Sequence, residues 1–209
     1  EEVVCGLRRP TAGRVLINGQ EVDRRGPQRF RALRGAHIPS DRLRRGLVPS
    51  FPLTRNAILG HHWRLPYARR GILQTKAIHD HTAGIIRRFA IRTGSMHQPA
   101  GSLSGGNQQK LVVGREIAHD PRLIIAAQPT RGVDVGAVQQ IHEELLRMRS
   151  QGRAILLIST ELDELLALSD RLAVLYEGRI VAQGPTERFT ERQLGLWMAG
   201  QGESAAATP

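Results

Sequence analysis

Apolar positions along the chain fall into two regimes, with a change of rhythm near residue 100. In the first regime, "RVLINGQEV" (14–22) reads as a short strand, an Asn18-Gly19 turn and a return strand. "DRRGPQRFRALRG" is polar, with Pro27 placed to begin a helix. "AHIPSDRLRRGLVPSF" is a short apolar run followed by a loop with two prolines. From about Leu53 to Arg92 the pattern is helical: Ile78, Ile85, Ile86, Phe89 and Ala90 share one face at spacings of three and four, and no strand is expected. In the second regime, "GSLSGGNQQKLVVGREIAHD" is a Gly-rich turn opening a helix near Asn107, and "RLIIAA" is a buried strand. "DVGAVQQIHEELLRMRSQG" is an amphipathic helix with Ile141, Leu145 and Met148 on one face and Gly152 as its stop. "AILLIS" is a second buried strand, and "TELDELLALSD" a helix. "RLAVLYEGRIVAQG" is a hairpin turning at Glu177-Gly178. In "TERQLGLWMAG", Leu194, Leu196 and Trp197 are expected to dock a short terminal helix. Alternating strands and helices with continuously apolar strands imply an α/β fold with a largely parallel sheet.

Composition narrows the function classes. The 209 residues suffice for one good-sized core, and 40% hydrophobic content is that of a globular chain. No apolar run approaches the roughly 18–20 residues of a membrane span, so membrane contact is expected to pass through a partner. The single Cys5 permits no internal disulfide and reads as a core residue. The chain opens on "EEVVCGLRRP", without Met; Glu1–Cys5 reads as the last turns of a helix stopped by Gly6, which suggests a fragment cut at its N-terminus. The net charge of +11 is uneven: residues 1–94 carry 19 Lys+Arg against 6 Asp+Glu, and residues 95–209 carry 11 against 13. Arg dominates, with only Lys76 and Lys110 as lysines, and there is no aromatic interleaving of the kind single-strand binding uses. The expectation is a solvated basic surface, with contact to anionic lipid or membrane subunits as the alternative for the runs at 24–34 and 42–45, and no nucleic-acid partner. His61-His62-Trp63 and His79-Asp80-His81 lack companion ligands at metal-site spacing and read as surface or helix-face residues, so no metal ligands are assigned.

One motif decides the class. "LSGGNQQK" (103–110) opens a helix; "DPRLIIAAQPT", "GVDVGA", a strand ending "LIST" and "SDRLAVLYEGRIVAQG" follow in order. This series resembles the nucleotide-binding domain of ABC transporters. It is most similar to the second, C-terminal ATPase domain of tandem importers for simple sugars and nucleosides, whose phrasing "GLRRPTAGRVLINGQ" and "PTRGVDVGA" share. The resemblance implies a P-loop NTPase fold of the ABC type over residues 1–200. A helical subdomain would carry the signature at about 53–120, the phosphate-loop portion would be missing, and a disordered tail would cover 201–209. Gly105 and Gly106 lack Cβ, Ser104 offers a hydroxyl, and the helix start offers free N–H groups and a positive dipole end, together an anion site. In the family this loop crosses a head-to-tail dimer to the γ-phosphate of ATP held by a partner ATPase domain. Ser104, Gly105, Gly106, Asn107, Gln108 and the D-loop Asp134 are therefore the expected ATP-contacting residues. Asp134 also reads as a helix N-cap.

Other positions depart from the family pattern. Gly-x-x-x-x-Gly-Lys-Ser/Thr does not occur in the chain, nor does the aromatic that stacks on adenine. The Walker B aspartate that holds the Mg²⁺ shell falls on Ala127, and the glutamate that polarises the attacking water falls on Gln128. Ala has no ligand oxygen, and Gln cannot take a proton; a positioned base is commonly worth ~10²–10⁴ in rate. The switch histidine falls on Thr160, and the glutamine after "AHIP" falls on Ser40, a position where acidic or other residues occur in this importer group. Asp120 precedes the strand, at the end away from the phosphates. The expectation is a transport-coupled ATPase whose ATP and Mg²⁺ are held mainly by the partner domain, this chain alone being inactive. The resemblance implies further partners, namely transmembrane permease subunits and, indirectly, an extracytoplasmic substrate-binding protein. It places the domain peripherally at the cytoplasmic face of the cell membrane, with "RRGLVPSFPLTRNAIL" toward the permease coupling helix. A soluble, non-transport ABC ATPase and a purely structural pseudo-ATPase are the alternatives.

Overall fold

The computed structural model describes residues 1–22 and 26–201. Asp23, Arg24 and Arg25, the last two in the basic run, and residues 202–209 of the tail expected to be disordered, lie outside the described residues. The chain divides into two units, the first ending at Ile158 and the second starting at Ser159.

The first unit opens with a helical turn. Cys5 N–H donates to Glu1 O (3.1 Å), Gly6 N–H to Val3 O (3.1 Å) and Leu7 N–H to Glu2 O (2.8 Å). With Gly6 at φ 72° this is a Schellman closure, the helix stop the sequence predicts. β1 (Leu16–Ile17) and β2 (Gln20–Glu21) form the expected hairpin, and α1 (Pro27–Ala32) starts on its proline. β3 (Gly35–Ile38) leads into a π-type turn, Arg42–Gly46, capped by Asp41 Oδ1, which accepts from the N–H groups of Leu43 and Arg44 at 3.1 Å. Then come α2 (Leu53–Asn56), β4 (Ala68–Arg69), β5 (Ile72–Leu73), α3 (Thr75–Arg88), α4 (Gly105–Ile117), β6 (Leu123–Ala127), α5 (Val135–Ser150) and β7 (Ala154–Ile158).

The core sheet is parallel, in the order β3-β6-β7. β6 lies in the middle, with Ile124, Ile125 and Ala126 wholly buried. α4 packs against β3, α2, α3 and α5, burying Leu111, Val112 and Val113 completely. On the other side of β6, Ile125 joins a cluster with Cys5, Ile17 and Phe30. Burial raises the Cys5 thiol to about 12, so it behaves as an apolar core atom.

The second unit contains α6 (Leu162–Leu168), β8 (Arg171–Tyr176), β9 (Arg179–Pro185) and α7 (Glu191–Met198). β8 and β9 pair as the predicted hairpin. Their cluster is Leu172, Val174, Ala182 and Leu194, with Trp197 edge-on to Phe189 at 5.6 Å. A reciprocal Thr190–Gln193 capping box starts α7.

Several expectations need correction. The stretch from Leu53 to Arg92 is not uniformly helical: β4 and β5 form a hairpin inside it. Its turn, Arg70-Gly71, has φ of 52° and 80°, the same paired positive φ as Asn18-Gly19 and Glu177-Gly178. Ala90 is exposed at φ 45°, because the chain leaves helical geometry after Arg88. α4 begins at Gly105, two residues before the expected start. β7 is only half-buried, with Leu156 42% exposed, because it sits at the end of its sheet. Leu196 is 39% exposed on the outer side of α7, while Leu194 docks. His61 is buried rather than on the surface, its ring stacked on His119 at a centroid distance of 3.6 Å.

Candidate functional site

The start of α4 is built by its own sequence. Ser104 is extended (φ −61°, ψ 157°), and its Oγ accepts from Asn107 N–H (3.4 Å) and from Asn107 Nδ2 (2.9 Å). Asn107 Oδ1 accepts from Arg92 N–H at 2.9 Å, which ties the cap to the loop after α3. Ser104 is exposed, so the hydroxyl and the positive end of the 13-residue helix face solvent. Gln108 is buried, and its Nε2 donates back to Leu103 O at 3.1 Å.

The loop after β6 is drawn onto this helix start. Gln109 Nε2 donates to Pro129 O at 2.8 Å. Arg42 donates from Nη1 to Arg131 O (2.9 Å), from Nη2 to Gly132 O (3.3 Å) and from Nε to Gln108 Oε1 (3.4 Å). Asp134 caps α5, its Oδ1 accepting from Ala137 N–H at 2.9 Å, as the N-cap reading predicts. A Cβ on Gly106 would run into the Asp134 carboxylate and come within 3.2 Å of Ala137 Cβ. One on Gly105 would come within 3.0 Å of Gly132 O. Packing within the chain therefore demands the glycine pair, independently of any ligand. Arg42, read from sequence as solvated surface, is instead a clamp joining its own turn to the loop after β6 and to the start of α4. Gln109 was also missed; its place inside "LSGGNQQK" was the available signal.

A second group gathers at the C-terminal ends of the parallel strands. Ala127 is buried and contributes only a methyl group. Gln128 adopts φ 47°, and its N–H donates to Ile158 O at 2.7 Å. At the end of β3, Ser40 Oγ donates to Glu1 Oε1 (2.8 Å) and Ser40 N–H to Glu1 Oε2 (3.2 Å), with His37 Nε2 at 3.4 Å. Burial opposes the charge on Glu1, but hydrogen bonds from Ser40 and His37 outweigh it and lower its pKa. Burial lowers that of His37 despite Glu1. Thr160 belongs to the second unit, two residues beyond β7.

These residues do not fit a divalent cation at the end of β6. The chain offers a methyl and a carboxamide where a carboxylate would be needed, and no His/Cys/Asp/Glu group among the described residues could hold a metal. Asp120 lies at the other end of β6, paired with Arg34 and Arg153. The helix start does fit an anion: it offers an exposed hydroxyl and uncapped amides, and the nearby Arg42 is a cation.

The family profile described as ABC transporter matches residues 2–131. The chain belongs to the ABC transporter family. The guanosine import ATP-binding protein NupO of Bacillus subtilis (strain 168) is 42% identical over 205 residues, covering 98% of this chain and 40% of that protein. The ribose import ATP-binding protein RbsA 1 of Rubrobacter xylanophilus is 38% identical over 199 residues, covering 94% and 40%. The chain thus spans about 40% of the length of these curated relatives. Among solved structures, the dimeric post-hydrolysis state of the ATP-binding cassette MJ0796 bound to ADP and Pi superposes with a TM-score of 0.73. That match is 17% identical and covers 88% of this chain and 78% of that one, a likeness of fold. In this ABC chain, then, the helix start at Ser104–Gln108 is fully assembled, while the end of β6 carries the methyl of Ala127 and the carboxamide of Gln128.

Proposed function

We propose that this chain is the second ATP-binding domain of a tandem importer for simple sugars or nucleosides, presenting its signature loop to ATP held by a partner ATPase domain. The observation that carries this reading is the pairing of an ordered Ser104–Gln108 cap with Ala127 and Gln128 at the Walker B end. The naming of similar proteins for nucleoside and sugar cargo, guanosine for NupO and ribose for RbsA 1, supports the cargo class. ATP, bound by the partner with its Mg²⁺, supplies the transferable γ-phosphoryl group. Ser104 and the first amides of α4 donate to and orient phosphate oxygens, and Asp134 caps α5 with its carboxylate packed against Gly106. Domain closure drives permease subunits at the cytoplasmic face of the membrane.

Ser104→Asp tests this in the assembled transporter. Asp caps a helix as well as Ser, so the fold is kept, yet its charge repels phosphate. Turnover should fall by about 100-fold, the scale of losing one transition-state donor, with the melting temperature unchanged. Unaltered turnover would reduce the domain to a structural prop. Gln128→Glu alone should leave turnover nearly unchanged, since Ala127 still offers no ligand oxygen. A rise above about tenfold would show that the chain's own site can be revived by one residue, against this reading. The isolated chain should bind ATP no tighter than about 1 mM by calorimetry.

A further inference from the structure

The β4–β5 hairpin and the turn before it are built unlike a solvated loop. Leu65 is 75% exposed, Ile72 69%, Trp63 48% and Leu73 47%. Their backbone is nevertheless fixed. Tyr67 N–H and Ala68 N–H both donate to Arg64 O (2.9 and 3.0 Å), and Gln74 N–H donates to Tyr67 O (2.8 Å). Tyr67 is buried with Ile58 and Ile78, anchoring the hairpin to the body. The apolar side chains are therefore displayed on a rigid base, and their display is a property of the fold.

The charge of the same segment is one-sided. Residues 42–79 contain no Asp or Glu, but seven Arg and one Lys. Arg64, Arg69 and Arg70 lie within the exposed stretch. Arg69 pairs across the hairpin with Ile72, so an exposed cation and an exposed apolar side chain share a face. Arg64 lies 6.0 Å from the Trp63 ring centre. The acid nearest in sequence on the C-terminal side, Asp80 on α3, is engaged by Lys76 at 2.7 Å.

We infer that this hairpin is a contact for an anionic lipid surface: Trp63, Leu65 and Ile72 enter the interfacial layer while Arg64, Arg69 and Arg70 bind lipid phosphates. Trp favours the headgroup level of a bilayer, and guanidinium groups grip phosphate in a bidentate manner. Apolar insertion and basic attraction together are what surface-bound proteins use. Interleaved Leu and Ile disfavour a nucleic-acid backbone, which would leave them in water. The inference stands on the hairpin alone and needs no transport partner, so it can fail while the signature-loop reading survives.

Vesicle sedimentation and Trp63 fluorescence test it with the full chain. Trp197→Phe leaves Trp63 as the sole tryptophan, and sedimentation of the unsubstituted chain reads the same binding without that change. Binding is expected to phosphatidylcholine vesicles containing about one-third phosphatidylglycerol, with a blue shift of Trp63 emission and weakening by salt. Arg69→Gln with Arg70→Gln should weaken it about 25-fold, fivefold for each basic residue. Leu65→Asp with Ile72→Asp should abolish both binding and blue shift. No binding to anionic vesicles, or binding indifferent to these exposed-site changes, overturns the inference. So does binding that requires permease in the vesicle, which would assign the hairpin to a protein contact.

Discussion

Gly106 shows how one residue couples two loops. Its missing Cβ is space already taken by the Asp134 carboxylate and Ala137. Gly106→Ala should destabilise the chain by about 1–3 kcal/mol, the usual scale of overpacking, read from the midpoint of urea unfolding. Gly106→Ala in an Asp134→Ser background should cost less, because Ser still caps α5 with a shorter side chain. Equal costs in both backgrounds would break the link between the two loops. This part of the site was half legible. The motif announced Ser104 through Gln108, since a glycine pair before a helix is a local signal. The crowding by Asp134 was not legible, because the two segments meet only in the fold. Arg42 was hidden for the same reason: a basic residue in a basic run reads as solvent-facing until its carbonyl partners Arg131 and Gly132 come into view.

At the scale of elements, α4 is the hub, and a buried charge network fixes it. Glu116 accepts from Arg31 Nη1 and Nη2 (3.1 and 3.2 Å), from Arg115 Nε (2.9 Å) and from His37 N–H (3.2 Å). Burial would raise the Glu116 carboxyl, but the charges of Arg31 and Arg115 outweigh it and hold it at about 2. Arg115 also donates to Gly46 O at 2.7 Å, linking α4 to the π-type turn. Glu116→Gln keeps the shape but strands two guanidinium groups. A loss of about 3–5 kcal/mol is expected, measured by urea unfolding, and a loss below about 1 kcal/mol would mean the ions are effectively solvated. The apolar rhythm did place α3, α4, β6 and α5, because each buries a continuous face. It failed where burial does not set the pattern. β4 and β5 are two residues each and expose Ile72 and Leu73, and β7 is half-open at the end of its sheet. The Arg115–Glu116 pair interrupts the apolar pattern of α4 while being fully inside.

For the whole first unit, acid is the condition most at odds with the fold. His61 stacks on His119, whose ring centre is 5.5 Å from that of His81, and Arg31 Nη1 lies 2.8 Å from His61 Nε2. His61 Nδ1, His81 Nε2 and His119 Nε2 are buried without a hydrogen-bond partner among the described residues. Burial lowers His61 to about 3, helped by His119 and Arg31, and lowers His119 to about 4, helped by His81. Burial also lowers His81. The folded state therefore keeps these rings neutral, whereas the unfolded chain protonates them near pH 6.5. Their contribution to stability is whole above about pH 6.5 and declines as pH falls toward the folded values near 4 and 3. Glu116 acts in the same direction at lower pH: protonation in the unfolded chain near 4.5 begins a loss that ends near 2. Repulsion within the Arg-rich half is a separate effect of acid, since it grows as carboxylates lose charge. His119→Phe separates the two. It removes a titrating ring and the charge repulsion it exerts on His61, but leaves the arginines in place. Urea midpoints measured from pH 7.5 to 4 should fall steeply for the parent chain and less steeply for His119→Phe. Parallel slopes would assign the acid sensitivity to net charge, and a parent midpoint that holds level down to pH 5 would show that the histidine cluster opens to water.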